Sequence, residues 1–373
     1  MVFPVTLTLV TVFLYALVMF LLFIGLIRLK RPSREKPVFP AKVAVVVPFR
    51  NEADHLPGLI RDLSGQTYPD HLFSVVLVND HSSDGSGKLA ASLIGKRPRF
   101  SCLDLPDGKR GKKEALSFAI SNVHADWIIQ TDADCRVPPG FINAHISFLE
   151  EYPSELVAGL VTTQNGKKRF LEVFERLDLL GLAGAGAGSF HFGRPLMCSG
   201  ANLMYSRSLY METREFDPVE KSASGDDMFM LIGARKLKRR IAFNPGTMAM
   251  VQTNPVRGTG ELIRQRIRWG AKSAYYQMAD IQLLAILVAL TNLLLLLSPV
   301  WILLFPGSAR WFLPSIGIKT LMDFLILHAT TGATGQRKSL WWFIPVSVAY
   351  YLYMPVVFTG SLLRRSTWKE REG

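Results

Sequence analysis

The sequence predicts an α/β domain with a mainly parallel sheet, flanked at both ends by transmembrane helices. Short, continuous β-branched runs at 43–47 and 74–78 alternate with helix-like segments, which is typical of strands buried on both faces. Residues 1–27 carry no charged side chain, and the chain is uncharged again from 281 to 306. The composition agrees: a mean hydropathy of +0.20 is high for a soluble enzyme, whereas 20% charged residues are too many for a membrane bundle alone.

The first element, residues 1–28, is predicted to be a retained transmembrane anchor. The alternative is a cleaved signal peptide, but the basic cluster Arg28–Lys36 follows the apolar run instead of preceding it. The positive-inside rule then places the start of the chain outside and the segment after Arg28 in the cytoplasm. We therefore expect an integral membrane protein with a cytoplasmic domain.

The cytoplasmic domain is predicted over 37–275, with an interfacial helix near 260–275. Strands are expected at 43–47, 74–78, about 100–103 and 127–130, and helices at 52–64 (capped by Asn51), 112–121 and 141–150. The glycine-rich stretch Gly181–Gly188 is predicted to be a flexible or closely packed loop. Ligands of such sheets bind at the carboxyl ends of the strands, where this chain concentrates its acidic residues.

The C-terminal block, 281–363, is predicted to contain two to three spans, at about 281–306, 311–329 and 340–363. Lys319 and Asp323 share a helix face in the second stretch, and we expect them to form a structural ion pair. The last stretch has basic residues on both flanks, so the positive-inside rule cannot be satisfied on both. One stretch is therefore expected to be re-entrant or interfacial, with the Pro314-containing one as the candidate, which gives three or four spans in total.

Charge and cysteine content narrow the class of protein. The net charge of +13 is compatible with nucleic acid, an anionic membrane surface or a phosphate-bearing substrate. Nucleic acid is disfavoured, because no aromatic-basic stacking pattern falls on a strand and the domain is anchored. The three cysteines have no CxxC spacing and an odd total, which excludes a disulfide framework and a zinc site.

Two acidic motifs follow predicted strands. Asp132 and Asp134 come directly after the strand at 127–130 and can converge on a hard cation such as Mg²⁺ or Mn²⁺; the alternative is a solvated Asp-rich turn. Asp80 follows the strand at 74–78 and can hydrogen-bond a base or a ribose, or else form an Asx-turn.

Two further motifs lie later in the chain. Asp226 and Asp227 are adjacent carboxylates that could raise one another's pKa, as suits a general base, or could cap the helix that follows. Gln265, Arg268 and Trp269 lie on a basic segment just before the membrane block. That segment is either an interfacial helix with a Trp at headgroup level or a site where Arg268 grips a diphosphate.

The order of these motifs resembles that of family 2 glycosyltransferases. The donor-half motifs are Val47-Pro48-Phe-Arg-Asn51-Glu52, Asn79-Asp80-His-Ser-Ser-Asp84-Gly85, Gly111-Lys112-Lys-Glu-Ala115-Leu116 and Asp132-Ala-Asp134. The acceptor-half motifs are Cys198-Ser-Gly200-Ala-Asn202, Gly225-Asp-Asp227 and Gln265-Arg-Ile-Arg268-Trp269. The last is similar to the QxxRW motif of the membrane-embedded branch, which includes cellulose and hyaluronan synthases and ceramide glucosyltransferases.

The resemblance implies a GT-A, Rossmann-like nucleotide-sugar-binding fold and a role for each site residue. Asp80 would contact the nucleotide base, commonly uracil, and Lys112 would add a cationic contact. Asp132 and Asp134 would hold Mg²⁺ or Mn²⁺ at the diphosphate, with Asp132 also counted among the donor contacts. Asp227 would be the general base of an inverting transfer, with Asp226 where the family usually has Glu. Gln265, Arg268 and Trp269 would close over the diphosphate.

The acceptor stays open at this level. A membrane lipid is favoured over a growing polysaccharide, because three C-terminal stretches are few for a polymer channel. A processive polysaccharide synthase is the first alternative, and a non-catalytic membrane scaffold is the alternative from another class. The expected partners are therefore a nucleotide sugar, a lipid or glycan acceptor and membrane lipids.

Overall fold

The computed structural model describes residues 2–34, 36–38, 41–164, 169–214, 226–273, 276 and 278–364. Its helices are α1 (Val2–Ile27), α2 (Leu56–Ser64), α3 (Ser86–Ile94), α4 (Lys112–Ser121), α5 (Phe141–Glu151), α6 (Phe170–His191), α7 (Arg207–Thr213), α8 (Asp226–Lys236), α9 (Thr259–Ser273), α10 (Ala279–Leu304), α11 (Ala309–Ala333) and α12 (Phe343–Arg364). Its strands are β1 (Val43–Phe49), β2 (Phe73–Asn79), β3 (Phe100–Asp104), β4 (Trp127–Gln130), β5 (Cys135–Arg136), β6 (Leu156–Gly159), β7 (Val161–Thr163), β8 (Leu203–Ser206), β9 (Ile241–Asn244) and β10 (Val251–Thr253).

The chain forms two compact units, which are described separately. The sheet unit comprises Leu29–Gln164 and Phe190–Asn254, and the helical unit comprises Met1–Arg28, Asn165–Ser189 and Pro255–Gly373.

The sheet unit contains a seven-stranded sheet in the order β3-β2-β1-β4-β8-β6-β9. All neighbouring strands are parallel except at β8, which runs antiparallel to both β4 and β6. The predicted mainly parallel α/β architecture is thus confirmed. Every residue of β1 is buried, as its uninterrupted apolar sequence requires of a central strand covered on both faces.

The register of the parallel strands brings their carboxyl ends together at one edge. Phe49 at the end of β1 is opposite Asn79 of β2, and Asn79 is opposite Asp104 of β3. On the other side of β1, Val46 is opposite Gln130 at the end of β4. The segments that follow β1, β2 and β4 therefore emerge side by side.

A second, three-stranded sheet in the order β5-β10-β7 lies in the same unit. Its pairing places Thr253 of β10 opposite Cys135 of β5. This pairing brings the 253–254 segment against the Asp132–Asp134 turn, although the two are far apart in sequence.

The predicted helix at 52–64 begins later than expected, at Leu56, and Asn51 does not cap it. Asn51 has a φ of 56° and its Oδ1 accepts a hydrogen bond from the backbone N–H of Ser83 at 2.8 Å. The side chain of Asn51 therefore makes a tertiary contact instead of the helix cap that the local sequence predicts. The helix predicted at 112–121 is confirmed at both ends, and that predicted at 141–150 is one residue longer.

The helical unit contains α1, α9, α10, α11, α12 and most of α6. Within the described ranges, four helical segments are long and apolar enough to cross a membrane: Phe3–Ile27, Ala279–Leu304, Pro306–Ala333 and Arg337–Leu363. These are the apolar stretches that the sequence predicts at 1–28 and within 281–363.

The glycine-rich stretch Gly181–Gly188 is helical, so the prediction of a loop there is wrong. It lies inside α6, where the missing side chains permit close approach of other helices. A Cβ at Gly188 would overlap the backbone carbonyl of Leu22 in α1, and one at Gly184 would overlap the hydroxyl of Thr330 in α11. Long-range packing here overrides the low intrinsic helix propensity of glycine.

The predicted ion pair inside α11 is confirmed. Lys319 Nζ lies 2.7 Å from Asp323 Oδ2, and Lys319 is almost fully buried. The hydroxyl of Tyr15 in α1 donates to the other Asp323 oxygen at 2.5 Å. Lys319 Nζ also lies 4.5 Å from the ring centroid of Tyr351 in α12. The pair therefore joins three helices through contacts that compensate for burying its charges.

Candidate functional site

The carboxyl edge of the parallel strands carries the polar side chains singled out in the sequence. Asp80 follows β2, Asp132 and Asp134 follow β4, and Asn51 and Glu52 follow β1. This edge is where ligands of open α/β sheets bind.

Asp80 is buried at this edge, with 6% of its surface exposed. Its Oδ2 accepts a hydrogen bond from the backbone N–H of Gly111 at 2.9 Å, and Gly111 has a φ of 95°, which favours glycine. The other oxygen, Oδ1, is buried and has no hydrogen-bond partner among the described residues. Leaving a buried polar atom unpaired costs about 1–3 kcal/mol. Asp80 Oδ1 is therefore available to accept a hydrogen bond from a ligand.

The loops after β1 and β2 are tied to one another next to Asp80. The backbone N–H of Glu52 donates to Ser86 Oγ at 2.8 Å, and that of Ala53 donates to Asp84 Oδ2 at 3.1 Å. The backbone N–H of Asn51 donates to Ser82 Oγ at 3.0 Å. These bonds explain the polar content of the Asn79–Gly85 motif, because its side chains satisfy backbone donors that no strand or helix uses.

Asp132 is paired with Lys112 at the start of α4. Lys112 Nζ lies 2.5 Å from Asp132 Oδ1, and both side chains are partly exposed. The pair brings together two motifs, 112–116 and 132–134, whose proximity in space the sequence alone does not show. It places a cation and a carboxylate together at the open edge of the sheet.

Asp134 is more enclosed than Asp132. Its Oδ2 accepts a hydrogen bond from Thr253 Oγ1 at 2.9 Å, and its backbone carbonyl accepts one from Asn254 Nδ2 at 3.3 Å. Burial raises the pKa of Asp134, and the negative charge of Asp132 raises it further. The two carboxylates therefore interact electrostatically, as the prediction of a shared cation requires.

Glu52 and His55 complete this group, and neither has a role predicted from the sequence. Glu52 Oε2 lies 2.6 Å from His55 Nδ1. Burial raises the pKa of Glu52; the hydrogen bond from His55 lowers it, while the charges of Asp134 and Asp132 raise it. Glu52 could have been found from its position at the end of β1, beside the strands that end in Asp80 and Asp132.

The carboxylates suit a divalent cation. Asp132 and Asp134 offer the oxygen ligands that Mg²⁺ and Mn²⁺ prefer, and a cation between them would relieve the repulsion that contributes to the raised pKa of Asp134. In the part of the chain that the structure describes, no three His, Cys, Asp or Glu side chains form a metal-binding group. A cation here would accordingly have two protein carboxylates and take its remaining ligands from substrate phosphates and water.

Asp227 lies at the start of α8 and is held by the segment that carries Cys198 and Gly200. Its Oδ2 accepts from the backbone N–H of Gly200 at 3.0 Å, and its Oδ1 from that of Met228 at 2.8 Å. The Cys198 thiol donates to the Asp227 carbonyl at 3.3 Å. The structure thus joins the 198–202 and 226–227 motifs. The side chain of Asp226 lies outside the described residues.

Asn202, the last residue of the 198–202 motif, is a structural residue. It is fully buried, and its Nδ2 donates to the carbonyls of Leu160 at 2.8 Å and Ala249 at 2.7 Å. Its Oδ1 lies 3.0 Å from Nε2 of His145. Burial lowers the pKa of His145 to about 4, so this imidazole is neutral at physiological pH.

In the helical unit, Gln265, Arg268 and Trp269 lie on α9, as predicted. Arg266, which lies between these residues in the sequence, is buried. Its Nε donates to Asp178 Oδ2 of α6 at 2.7 Å, and the side chains of Arg266 and Asp178 are 5% and 2% exposed. Arg266 also donates to Gln265 Oε1, and its guanidinium lies 4.3 Å from the ring centroid of Trp269. Arg266 therefore anchors the helix, whereas Arg268 lies on its exposed side.

A family model described as Glycosyl transferase family 2 matches residues 44–214. The match covers a little under half of the chain. The matched range contains Asp80, Lys112, Asp132 and Asp134 and ends before Asp227 and α9. The donor-half motifs therefore lie inside the matched range, whereas the QxxRW-like motif lies beyond it.

Curated relatives match a similar length of chain. The undecaprenyl-phosphate 4-deoxy-4-formamido-L-arabinose transferase of Yersinia enterocolitica is 32% identical over 114 residues, which is 30% of this chain and 34% of the relative. The transferase of the same description from Klebsiella pneumoniae is 33% identical over 100 residues, 26% of this chain and 30% of the relative. The chain thus spans about a third of the length of these relatives.

A solved structure resembles the fold over nearly the whole chain. The mannosyltransferase PcManGT from Pyrobaculum calidifontis, solved in complex with GDP-Man and Mn²⁺, superposes with a TM-score of 0.60 at 15% identity. The match covers 99% of this chain and 100% of that protein. Together with the family 2 match, it establishes a mixed α/β fold of the GT-A type, as the sequence predicts, with apolar helices toward both termini.

Proposed function

We propose that this protein is an integral membrane glycosyltransferase that transfers a sugar from a nucleotide sugar to a membrane lipid, with inversion and with the help of a divalent cation. The observation that carries the proposal is the buried, unpaired Oδ1 of Asp80 at the strand edge that also presents Lys112, Asp132 and Asp134. The family 2 match over 44–214 supports it, because the match spans all four residues.

Asp80 is assigned to the nucleotide base. Its free oxygen can accept a hydrogen bond from a ring N–H such as that of uracil, and its other oxygen is fixed by Gly111. UDP is the proposed carrier. The structural relative was solved with GDP-Man, so a donor screen must include guanine nucleotides as well.

The diphosphate is assigned to the Lys112–Asp132–Asp134 edge. Lys112 attracts phosphate oxygens, and the two carboxylates would hold Mg²⁺ or Mn²⁺. When bound, that cation supplies positive charge for the leaving diphosphate. The structural relative was solved with Mn²⁺, which supports this assignment. Gln265, Arg268 and Trp269 are proposed to close over the same diphosphate, with Arg268 contacting it by two-point hydrogen bonding.

Asp227 is assigned as the general base. An acceptor hydroxyl attacks the anomeric carbon, its oxygen–carbon bond forms as the carbon–phosphate oxygen bond breaks, and the proton passes to Asp227. The backbone N–H groups of Gly200 and Met228 fix the carboxylate that receives it. In-line attack opposite the leaving group inverts the anomeric centre. Asp226 takes the place where the family usually has Glu.

A lipid phosphate is the second candidate acceptor, because the curated relatives are named undecaprenyl-phosphate transferases. A phosphate oxygen is already largely deprotonated at neutral pH, so its attack would need no general base. The role of Asp227 therefore separates the two acceptor classes.

The test compares Asp227→Asn with the parent on ceramide, diacylglycerol and polyprenyl phosphate. Loss of the base should reduce turnover with a hydroxyl acceptor by about 10²–10⁴-fold. Asp107→Asn, at an exposed loop position, is the matched control and should leave turnover unchanged. Near-normal turnover of Asp227→Asn with polyprenyl phosphate alone would favour the lipid-phosphate acceptor, and near-normal turnover with a hydroxyl acceptor would refute Asp227 as base.

Donor recognition is tested with Asp80→Asn in the same assay. The variant presents an N–H₂ group or loses one acceptor at the base site, so the donor KM should rise by roughly 5- to 150-fold, corresponding to about 1–3 kcal/mol. An unchanged donor KM would contradict the assignment of Asp80.

Product size distinguishes single transfer, which gives one sugar per lipid, from a processive synthase, which gives a ladder. A non-catalytic scaffold would transfer sugar from no donor.

A further inference from the structure

The helix α12 has the length and composition of a span, but its neighbours are unusual for one. It packs against the polar helix α9 as well as against α10. A Cβ at Gly360 would overlap the side chain of Ile267, and one at Gly270 would overlap the Ser361 hydroxyl. Ser361 Oγ lies 3.3 Å from the Ile267 carbonyl, to which it donates.

Contacts between α12 and the polar helices extend toward its other end. Tyr353 donates to Asp178 Oδ2 at 3.4 Å, the same oxygen that Arg266 of α9 contacts. Near the start of α12, Phe343 and Val346 share an apolar cluster with Leu262 of α9. From residue 343 to 361, α12 therefore lies beside α6 or α9 over about 27 Å.

The polar helix α9 cannot lie in hydrocarbon. It exposes Glu261, Arg264 and Arg268, and charged side chains are strongly disfavoured at the bilayer centre. A helix that follows α9 along most of its length must lie at the same depth. That depth is the membrane interface.

Chain connectivity places both ends of α12 on one side of the membrane. The helices α10 and α11 are joined by only residues 305–308, so the start of α10 and the end of α11 lie on the same side if both helices span. Helix α12 begins ten residues after α11 ends. Its far end is fixed to α9, which ends six residues before α10 begins.

Aromatic residues agree with this position. Tyrosines are enriched at the membrane–water interface, which in a span means near the two ends. In α12 they occupy the middle, as Tyr350, Tyr351 and Tyr353. Lys319 Nζ of α11 lies 5.3 and 4.5 Å from the ring centroids of two of them, Tyr350 and Tyr351.

The opposite face of α12 is an exposed apolar stripe, Ile344, Val348, Leu352 and Val356, spaced one helical turn apart. Trp341, 88% exposed, extends it, and Arg337 and Lys338 precede it. We propose that α12 does not span the membrane but lies in its interface, with this stripe buried at the headgroup–acyl boundary of the leaflet on the side where α1 ends. The occupant of the stripe is lipid, because basic residues and tryptophans border it and suit an anionic headgroup layer.

This arrangement leaves three spans, α1, α10 and α11, and removes the charge conflict in the sequence. Arg337, Lys338 and the basic residues after α12 all fall on one side, as the positive-inside rule favours. The interfacial segment is thus α12 instead of the Pro314-containing stretch, which forms part of α11. The proposal concerns topology and does not depend on the proposed function.

The test is the side of the membrane reached by the chain after α12. A site-specific protease cassette is placed after Gly373 of the full chain, with matched controls carrying it after Lys96 or after Gly307. In sealed vesicles of defined orientation, we expect the Gly373 cassette to be cleaved together with the Lys96 cassette. Cleavage together with the Gly307 cassette would mean that α12 spans and would overturn the proposal.

A second measurement reports depth and does not require a cassette. Leu352 in α12 and Leu293 in α10 are both exposed and both near the middle of their helices. Leu352→Lys should leave the membrane-inserted fraction within about twofold of the parent, because a lysine at the interface reaches water. Leu293→Lys should reduce it by roughly an order of magnitude. Equal losses for the two variants would contradict the interfacial position.

Discussion

The negative charge of Asp134 is disfavoured both by burial and by a neighbouring carboxylate. Asp134 is enclosed by Thr253 and Asn254 and lies near a second carboxylate, Asp132. A carboxylate with a raised pKa binds its proton more tightly in the folded than in the unfolded state. Its stabilising effect is present below the unfolded pKa and is lost as pH rises through the folded pKa, so at neutral pH the charge of Asp134 costs stability.

Replacing Asp134 should therefore raise stability while removing cation binding. In metal-free buffer we expect Asp134→Asn to melt at a higher temperature than the parent, because the buried charge is removed. Adding Mn²⁺ should raise the Tm of the parent, because a ligand that binds only the folded state stabilises it, and should not raise that of the variant. Thermal unfolding of the detergent-solubilised protein measures both. An equal Mn²⁺ shift in parent and variant would contradict the role of Asp134.

Arg266 and Arg268 stand two residues apart on α9 but belong to different environments. Arg266 is paired with buried Asp178, whereas Arg268 lies on the exposed side. Arg266→Gln would leave Asp178 buried without its cation and should cost about 3–5 kcal/mol, seen as a large fall in Tm. Arg268→Gln should leave the Tm nearly unchanged and reduce the transfer rate. The opposite pattern in melting and transfer assays would exchange the two roles.

At the scale of the element, the glycines of α6 make a graded test of close packing. Gly188 abuts the Leu22 carbonyl, whereas a Cβ at Gly181 would make an ordinary contact with Leu327 at 3.7 Å. Gly188→Ala should therefore destabilise the protein, because helix backbone would have to move. Gly181→Ala should be neutral or stabilising by up to about 1 kcal/mol, since alanine favours the helix. Equal Tm values for both variants would show that α6 does not pack against α1 in this way.

The same helix shows where sequence reasoning reaches its limit. The strands β1, β2 and β4 could be predicted because two-sided burial leaves a continuous apolar run, which is a local signal. The glycines of α6 could not be interpreted, because their reason is the approach of α1 and α11 from distant parts of the chain. Asn51 failed as a cap for a similar reason, since its partner Ser83 is 32 residues away.

The residues of the candidate site likewise divide into those that the sequence predicts and those that only the structure shows. Asp80, Asp132 and Asp134 could be predicted because strand ends in an α/β sheet converge. His55 could not, because its proximity to Asp134 depends on how the loop after β1 folds. The distinction between buried Arg266 and exposed Arg268 also required the structure, since both lie in one basic run.

At the scale of the whole molecule, one chain combines an α/β region that matches the family 2 model with apolar helices long enough to cross a membrane. The net charge of +13 includes clusters at 28–36, 235–240 and 264–272. Such clusters suit an anionic membrane surface and a diphosphate substrate. The proposed lipid acceptor is consistent with these charge clusters and with the apolar helices.

Sugar transfer into lipid by membranes that contain the full chain tests the proposed function most directly. Radiolabelled UDP- and GDP-sugars are supplied with Mn²⁺ or with a chelator, and label in the organic-solvent extract is counted for the parent and Asp134→Asn. We predict cation-dependent label from at least one donor with the parent, reduced at least about 100-fold in the variant. Label that is equal in parent and variant, or absent for every donor, would contradict the proposed function.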